Sequence, residues 1–283
     1  MFVEESGELL KDRDAKCLLA KVTVLGQVAV GFGYQKVAGN GFQGFPVIGQ
    51  QHHMQSSSGC ERSTEPGYYC PWDPRIKGLR FFEMSAAIPM RNLREFIGDI
   101  KALQDAAHPH GFCGLDIYTG FLIRFVKASS GAFLGAQEDV AAMDFTYYRA
   151  GDAKTPRLDM DIFDEIEQIA FYKYGAKPHW GKNRNYALYG VGRSYRDIDK
   201  FLAVRDRFDP EGFFSSEWSD EILGIASDSD VASEPRQPYC ALEGLCVCSE
   251  DVHCAPEKGY YCQPGRVYSD AKVCRFEDTS TCK

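Results

Sequence analysis

The sequence has no apolar run of about 18 residues, so no membrane-spanning helix is predicted. Residues 1–5 carry neither a basic nor an apolar segment, so no signal peptide is visible. The net charge of -8 argues against a general nucleic-acid binder and against binding to an anionic membrane. Gly31 and Gly33 lack the GxGxxG frame of a dinucleotide-binding loop. What remains is a globular chain, whose 44% apolar residues suffice for a packed core.

Cysteine is abundant at one end of the chain. Seven of the eleven cysteines follow Asp230, and this density predicts a disulfide-linked module and an oxidising compartment, hence a secreted or membrane-associated protein. Zinc is the alternative, but Cys246 and Cys248 are too close for a C-x2-C knuckle and the pair His253-Cys254 does not repeat. We therefore predict no metal site. A secreted tail without a visible signal peptide also suggests that the natural N-terminus is missing.

Hydrophobic periodicity predicts an α+β fold, in which helices pack on one face of an antiparallel sheet, together with a small cysteine-rich disulfide module. Strands are predicted at residues 79–88, 115–118, 121–127, 140–149 and 186–189. Helices are predicted after Pro89, from Asp159 to Gly175 and from Asp197 to Phe208. Residues 1–40 are ambiguous, residues 221–239 read as a linker, and residues 240–283 form the cysteine-rich tail.

Residues 178–185, Pro-His-Trp-Gly-Lys-Asn-Arg-Asn, gather an imidazole, an ammonium, a guanidinium and two amides in one short segment. Such donors stabilise developing negative charge, although a polar loop after a helix would have a similar composition. Arg124 lies inside an apolar strand, where an unpaired charge is costly. Its side chain must therefore reach solvent at a sheet edge or face a polar cavity.

This segment and residues 208–214, Phe-Asp-Pro-Glu-Gly-Phe-Phe, together resemble the C-terminal half of the aldonolactone oxidases, which are FAD enzymes of the vanillyl-alcohol-oxidase type. The plant L-gulonolactone oxidase-like proteins are the most similar branch. The resemblance runs from about Gly41 to the C-terminus and also rests on the cysteine-rich tail and on residues 45–49, 72–75, 115–118 and 144–149. It implies that residues 41–220 form the substrate (cap) domain of that family.

The resemblance implies a reaction on a sugar lactone. An aldono-1,4-lactone such as L-gulono-1,4-lactone would pass a hydride to FAD, giving an ascorbate-type product, and oxygen would then be reduced to hydrogen peroxide. The resemblance places Arg124 and Lys182 at the catalytic positions, and Arg124 with Thr146 at substrate-contacting positions. Beside the cofactor it places His179, Lys182, Asn183 and Arg184, of which the last two would mainly hold the loop.

Two features depart from the family. Several members carry a glutamate two residues before the arginine, and here that residue is Leu122, which cannot accept a hydrogen bond or hold Arg124 in place. The N-terminal FAD-binding domain of the family has no counterpart in residues 1–40, so we expect the chain alone to bind FAD poorly and to be inactive. The alternative is a non-catalytic secreted module, in which the tail binds a partner and the cap is a relic scaffold.

Overall fold

The computed structural model describes Glu8, Cys17 and residues 81–113, 121–225 and 237–277. The chain divides into two compact units, Met1–Leu79 and Arg80–Lys283, and the second holds every strand described below. The predictions for residues 1–40, 115–118 and the pair Cys60 and Cys70 lie outside the described residues. Over the described ranges, no helix is both long and apolar enough to cross a membrane.

The core of the unit is a four-stranded antiparallel sheet in the order β2-β3-β1-β4. The strands are β1 (Phe81–Pro89), β2 (Leu122–Val126), β3 (Val140–Tyr148) and β4 (Lys177–Pro178). The first three were predicted from alternating apolar residues. The prediction of a strand at residues 186–189 is wrong, because Asn185–Ala187 forms a 3-10 turn. One edge of β1 pairs with β3, and the other bonds β4 and the loop after it.

Helices cover one face of this sheet, as the α+β prediction requires. The described helices are α1 (Leu93–Ala106), α2 (Met160–Gln168), α3 (Ile198–Phe208) and α4 (Glu217–Leu223). Helices α1 and α2 pack on the sheet and share one apolar core, which includes Met84, Phe96, Leu103, Phe145, Phe163 and Ile166. Helix α4 was not predicted. It starts with a capping box between Ser216 and Ser219, so the predicted linker at residues 221–239 begins inside a helix.

The tail folds around three disulfides, Cys240–Cys246, Cys248–Cys262 and Cys254–Cys274. A hairpin of β5 (Tyr260–Pro264) and β6 (Lys272–Phe276) carries two of these cysteines. The disulfide prediction is confirmed, and these six sulfurs are therefore not thiolate ligands for zinc. Cys282 lies outside the described residues.

Helix α2 lies between the sheet and the tail, and all nine of its residues are buried. Its apolar stripe, with Ile162 and Ile166, faces the sheet as predicted. Its polar stripe faces the tail instead of solvent. Burying so many polar groups is costly unless they are hydrogen-bonded or paired, and the tail supplies partners for Asp161, Glu165 and Gln168.

Backbone groups of the tail meet the polar stripe of α2 directly. The Glu165 carboxylate accepts hydrogen bonds from the backbone N–H groups of Arg266 at 2.7 Å, Val267 at 2.7 Å and Tyr268 at 3.0 Å. The Gln168 amide donates to the carbonyl of Lys272 at 2.8 Å and accepts from its N–H at 2.9 Å. The tail and the cap therefore share one polar interface.

A single arginine lies at the centre of this arrangement. Arg184 is 1% exposed, and its guanidinium pairs with Glu167 at 2.9 Å and with Asp164. It also lies over the ring of Phe82, with its central carbon 4.8 Å from the ring centroid. On the tail side Gly244 has φ +73°, and a Cβ there would come within 2.8 Å of an Arg184 nitrogen. Arg184 thus joins α2, β1 and the tail.

We predict that Arg184→Ala lowers the free energy of unfolding by about 3–5 kcal/mol, because it leaves two carboxylates buried without their cation. The control is Arg196→Ala, which removes a 73% exposed side chain paired with Asp197 and should cost less than about 1 kcal/mol. Urea denaturation with the disulfides intact measures both. Equal losses in the two variants would contradict the central role of Arg184.

The same cluster predicts a pH dependence. Burial raises the pKa of Asp164 from 3.8 to about 7, against the opposing effect of the Arg184 guanidinium. Because the folded pKa is the higher one, this carboxyl group stabilises the fold fully below pH 3.8, and the contribution is lost as the pH rises through about 7.

Asp164→Asn removes the titrating group while keeping an acceptor for Arg184, so its unfolding free energy should depend less on pH between about pH 5 and about pH 8. Denaturation curves across this range measure the slope. The control Asp206→Asn changes a 73% exposed carboxylate and should keep the wild-type slope. An unchanged slope in Asp164→Asn would show that this residue is not the titrating group.

Candidate functional site

The sheet face opposite the core carries a row of polar side chains. Alternation along a strand sends every second residue to this face, and the antiparallel register sets the neighbours. On it Ser85 of β1 lies opposite Asp144 of β3, and Glu83 lies opposite Thr146. The face is built from β1, β2 and β3, and no described helix of the core packs on it.

Arg124 forms the first charged pair on this open face. Its Nη2 lies 2.6 Å from Asp144 Oδ2, and the other carboxylate oxygen accepts a hydrogen bond from Ser85 Oγ. The Arg124 side chain is 56% exposed and that of Asp144 14%. Arg124 therefore lies at a sheet edge and is held by a carboxylate on the neighbouring strand, which answers how an arginine is accommodated in an apolar strand.

Lys182 forms the second charged pair. Its Nζ lies 2.6 Å from Glu83 Oε1, and its side chain is 19% exposed. Since Glu83 is directly opposite Thr146, the structure brings Lys182 and Thr146 to the same region of the open face. Arg124, Lys182 and Thr146, which the sequence pointed to separately, thus belong to one surface.

The loop that carries Lys182 continues from β4 along the same edge of β1. The His179 N–H donates to the Ser85 carbonyl at 2.8 Å. The Asn183 amide oxygen accepts from the Glu83 N–H at 2.8 Å, and its amide nitrogen donates to the Phe81 carbonyl at 3.0 Å. Asn183 therefore bonds the edge of β1 much as a neighbouring strand would, and these contacts fix the loop.

His179 is exposed, and its Nδ1 accepts a hydrogen bond from the Gly181 N–H at 3.0 Å. This contact leaves Nε2 as the ring nitrogen that carries a proton in the neutral form. The imidazole can therefore offer a donor to a ligand above the open face.

Beside these pairs lies a cavity of about 430 Å³. Ala87 and Ala142 contribute small side chains to its lining, and Arg124, Lys177 and Tyr195 contribute polar groups. The Lys177 ammonium donates to the Ser194 carbonyl at 2.7 Å, and desolvation lowers its pKa. The volume suits a small ring with several hydroxyl groups.

Arg184 does not belong to this surface. Its guanidinium lies in the core, paired with Asp164 and Glu167, and is 1% exposed. Both carboxylate partners and the Phe82 ring surround it, so its guanidinium does not face the open surface. It holds the loop from inside, which is the other role expected of it.

Four residues of the site were not singled out from the sequence: Glu83, Ser85, Lys177 and Tyr195. The first two had a detectable signal, since they alternate with Phe82, Met84 and Ala86 along β1 and so face away from the core. Lys177 and Tyr195 had none, because only the folded chain brings them to one cavity.

Comparisons with known proteins identify the family of this chain. The family model described as D-arabinono-1,4-lactone oxidase matches residues 75–222, and the one described as L-gulonolactone oxidase 2-like, C-terminal domain, matches residues 237–276. The first match covers the sheet, its open face, helices α1 to α3 and all but the last residue of α4. The chain belongs to the D-arabinono-1,4-lactone oxidase family.

Relatives within this family include plant and bacterial proteins. Probable L-gulonolactone oxidase 1 of Arabidopsis thaliana is 48% identical over 96% of this chain and 45% of its own length. A probable truncated L-gulonolactone oxidase 7, mitochondrial, from the same plant is 48% identical over 82% of this chain and 91% of its own length. L-gulono-1,4-lactone dehydrogenase of Mycobacterium tuberculosis is 31% identical over 52% of this chain. The chain spans about half the length of most of its plant relatives.

Proposed function

We propose that this chain forms the substrate-binding side of a flavin-dependent oxidoreductase that acts on an aldono-1,4-lactone, with L-gulono-1,4-lactone as the first candidate. The observation that carries the proposal is the open sheet face, on which two cations are each held by a carboxylate. The names of the relatives, L-gulonolactone oxidases and an L-gulono-1,4-lactone dehydrogenase, support this substrate class. Oxygen is the proposed electron acceptor, which gives hydrogen peroxide.

The paired charges suit an alcohol as the reacting group. A hydroxyl group both donates and accepts hydrogen bonds, so it matches a cation and a carboxylate side by side. During oxidation the hydroxyl proton leaves and negative charge develops on its oxygen. Arg124 and Lys182 would stabilise that charge, and Glu83, whose carboxylate pairs with the Lys182 ammonium, would accept the proton. Thr146, opposite Glu83, would contact the substrate.

FAD, when bound, supplies the acceptor for the hydride that leaves the alcohol carbon. The described residues fit one side of its ring system, because His179 Nε2 and the Lys182 ammonium both offer donors at the open face. Asn183 would act on the cofactor only by fixing this loop. In the part of the chain that the structure describes, no glycine-rich turn follows a strand and opens a helix, so the pyrophosphate would be held by other polypeptide.

The disulfides support an inference about the compartment. Besides the three pairs of the tail, Cys17 and Cys113 each take part in a disulfide. Disulfides persist in oxidising compartments, and we therefore propose that the protein works in the secretory pathway or outside the cell.

Lactone binding to the full chain tests the proposed function without requiring turnover. L-gulono-1,4-lactone is titrated and its dissociation constant is measured by ligand-detected NMR. Arg124→Met and Lys182→Met should each weaken binding about tenfold, because each removes a charged hydrogen-bond donor but keeps an apolar stem. The control is Lys200→Met, a 67% exposed lysine of α3 paired with Asp197, which should bind as the wild type does.

A second measurement addresses the cofactor. The chain is incubated with FAD and desalted, and its visible spectrum is recorded before and after anaerobic addition of the lactone. Retained flavin bands that are bleached by the lactone would mean that this chain suffices for the first half-reaction. Equal lactone affinity in all variants, or no lactone binding together with a colourless protein, would contradict the proposed function and favour a non-catalytic module.

A further inference from the structure

Strand β2 gives Arg124 almost no support of its own. It is an edge strand, and all five of its residues are exposed, including Phe125 at 71% and Leu122 at 55%. Side chains on such a strand are not held by packing, so the orientation of the Arg124 guanidinium depends on its polar contacts.

Asp144 is placed to supply that orientation. It lies on β3, which pairs with β2 on one side and with β1 on the other, and its side chain is 14% exposed. One carboxylate oxygen accepts from Arg124 Nη2 at 2.6 Å and the other accepts from Ser85 Oγ. Ser85 is buried and fixed in β1, the strand on the far side. Arg124 is thus linked to the rigid centre of the sheet through one carboxylate.

Leu122 occupies the position from which β2 itself could have held the arginine. It is two residues before Arg124, so the two side chains share the open face at a spacing of about 7 Å. It is also directly opposite Asp144 in the strand register. A carboxylate at either of these two facing positions would lie close to the guanidinium, and this chain has its carboxylate at Asp144.

We propose that Asp144 is the positioning residue for Arg124, holding its guanidinium at the open face in place of the acid that β2 lacks. This inference rests on the proposed function for its effect on substrate, since Arg124 is there the group that contacts the lactone. Asp144 affects the substrate through Arg124, and Ser85 affects it through Asp144. The orientation of the Arg124 guanidinium therefore depends on two other strands, β3 and β1.

The proposal is tested by moving the carboxylate across the strand pair. The variants are Asp144→Asn, Leu122→Glu and the double variant Asp144→Asn with Leu122→Glu, all in the full chain. The first readout is the rate at which phenylglyoxal labels Arg124, followed by peptide mass spectrometry, with exposed Arg94 of α1 as the internal reference. The second readout is the dissociation constant for L-gulono-1,4-lactone.

In Asp144→Asn the labelling of Arg124 should rise, and lactone binding should weaken, each by about threefold, as expected for a partly exposed ion pair. The double variant should restore both values, which a purely structural loss would not allow. Ser85→Ala should raise the labelling by a smaller factor, and it serves as the second variant if Asp144→Asn fails to fold. Melting temperatures of all variants identify such a failure.

The outcomes separate this proposal from the proposed function. Labelling that is the same in the wild type, Asp144→Asn and Ser85→Ala would overturn the positioning role, whatever the lactone does. Labelling that rises without being restored by Leu122→Glu would also overturn it, because the effect would then not depend on a carboxylate near Arg124. Labelling that rises and is restored, in a chain that binds no lactone in any form, would support the positioning role and refute the proposed substrate.

Discussion

The buried ion cluster of Arg184 with Asp164 and Glu167 is the contact on which the rest of the unit depends. A guanidinium that is 1% exposed is tolerated only where carboxylates and hydrogen bonds replace its water. Those carboxylates come from α2, which is fixed in turn between the sheet and the tail. Contacts with α2, β1 and the tail therefore fix the position of Arg184. The loop before Arg184 is held in place at this residue.

Because Arg184 and Lys182 belong to the same loop, the fixed position of Arg184 determines where Lys182 lies. Three successive side chains take three directions: Arg184 enters the core, Asn183 bonds the edge of β1, and Lys182 reaches Glu83 on the open face. The first two contacts leave the third little freedom. The tail contributes indirectly, since Glu165 and Gln168 tie it to the same helix that holds Arg184. The cysteine-rich module is thus part of the support for the site, even though it lies on the other side of the sheet.

The sequence predicted the elements better than the contacts between them. Periodicity located β1, β3, α1 and α2, because each buries one face or stripe against the core. It also located β2 and α3, although β2 is exposed throughout and α3 has no fully buried residue. It did not reveal that the polar stripe of α2 is covered, since a polar stripe normally faces solvent. Periodicity also could not show which of the two cations of the polar loop, Lys182 or Arg184, is buried. That depends on how the loop bonds to the edge of β1. The resemblance to a family located Arg124, Lys182 and Thr146, but their carboxylate partners depend on strand register, which the sequence does not give directly.

The charge pattern of the open face bears on the kind of ligand it suits. Arg124 and Lys182 are each paired with a carboxylate, Asp144 and Glu83, so these four residues together carry no net charge and offer donors beside acceptors. An anionic ligand would be attracted by the two cations. It would also be repelled by the two carboxylates at similar distances, and this repulsion would offset much of the attraction. A neutral ring with several hydroxyl groups meets no such conflict, since each hydroxyl both donates and accepts. Under the proposed function, the open face would therefore favour the closed lactone over the corresponding open-chain sugar acid, and this preference would follow from the paired carboxylates as much as from the cations.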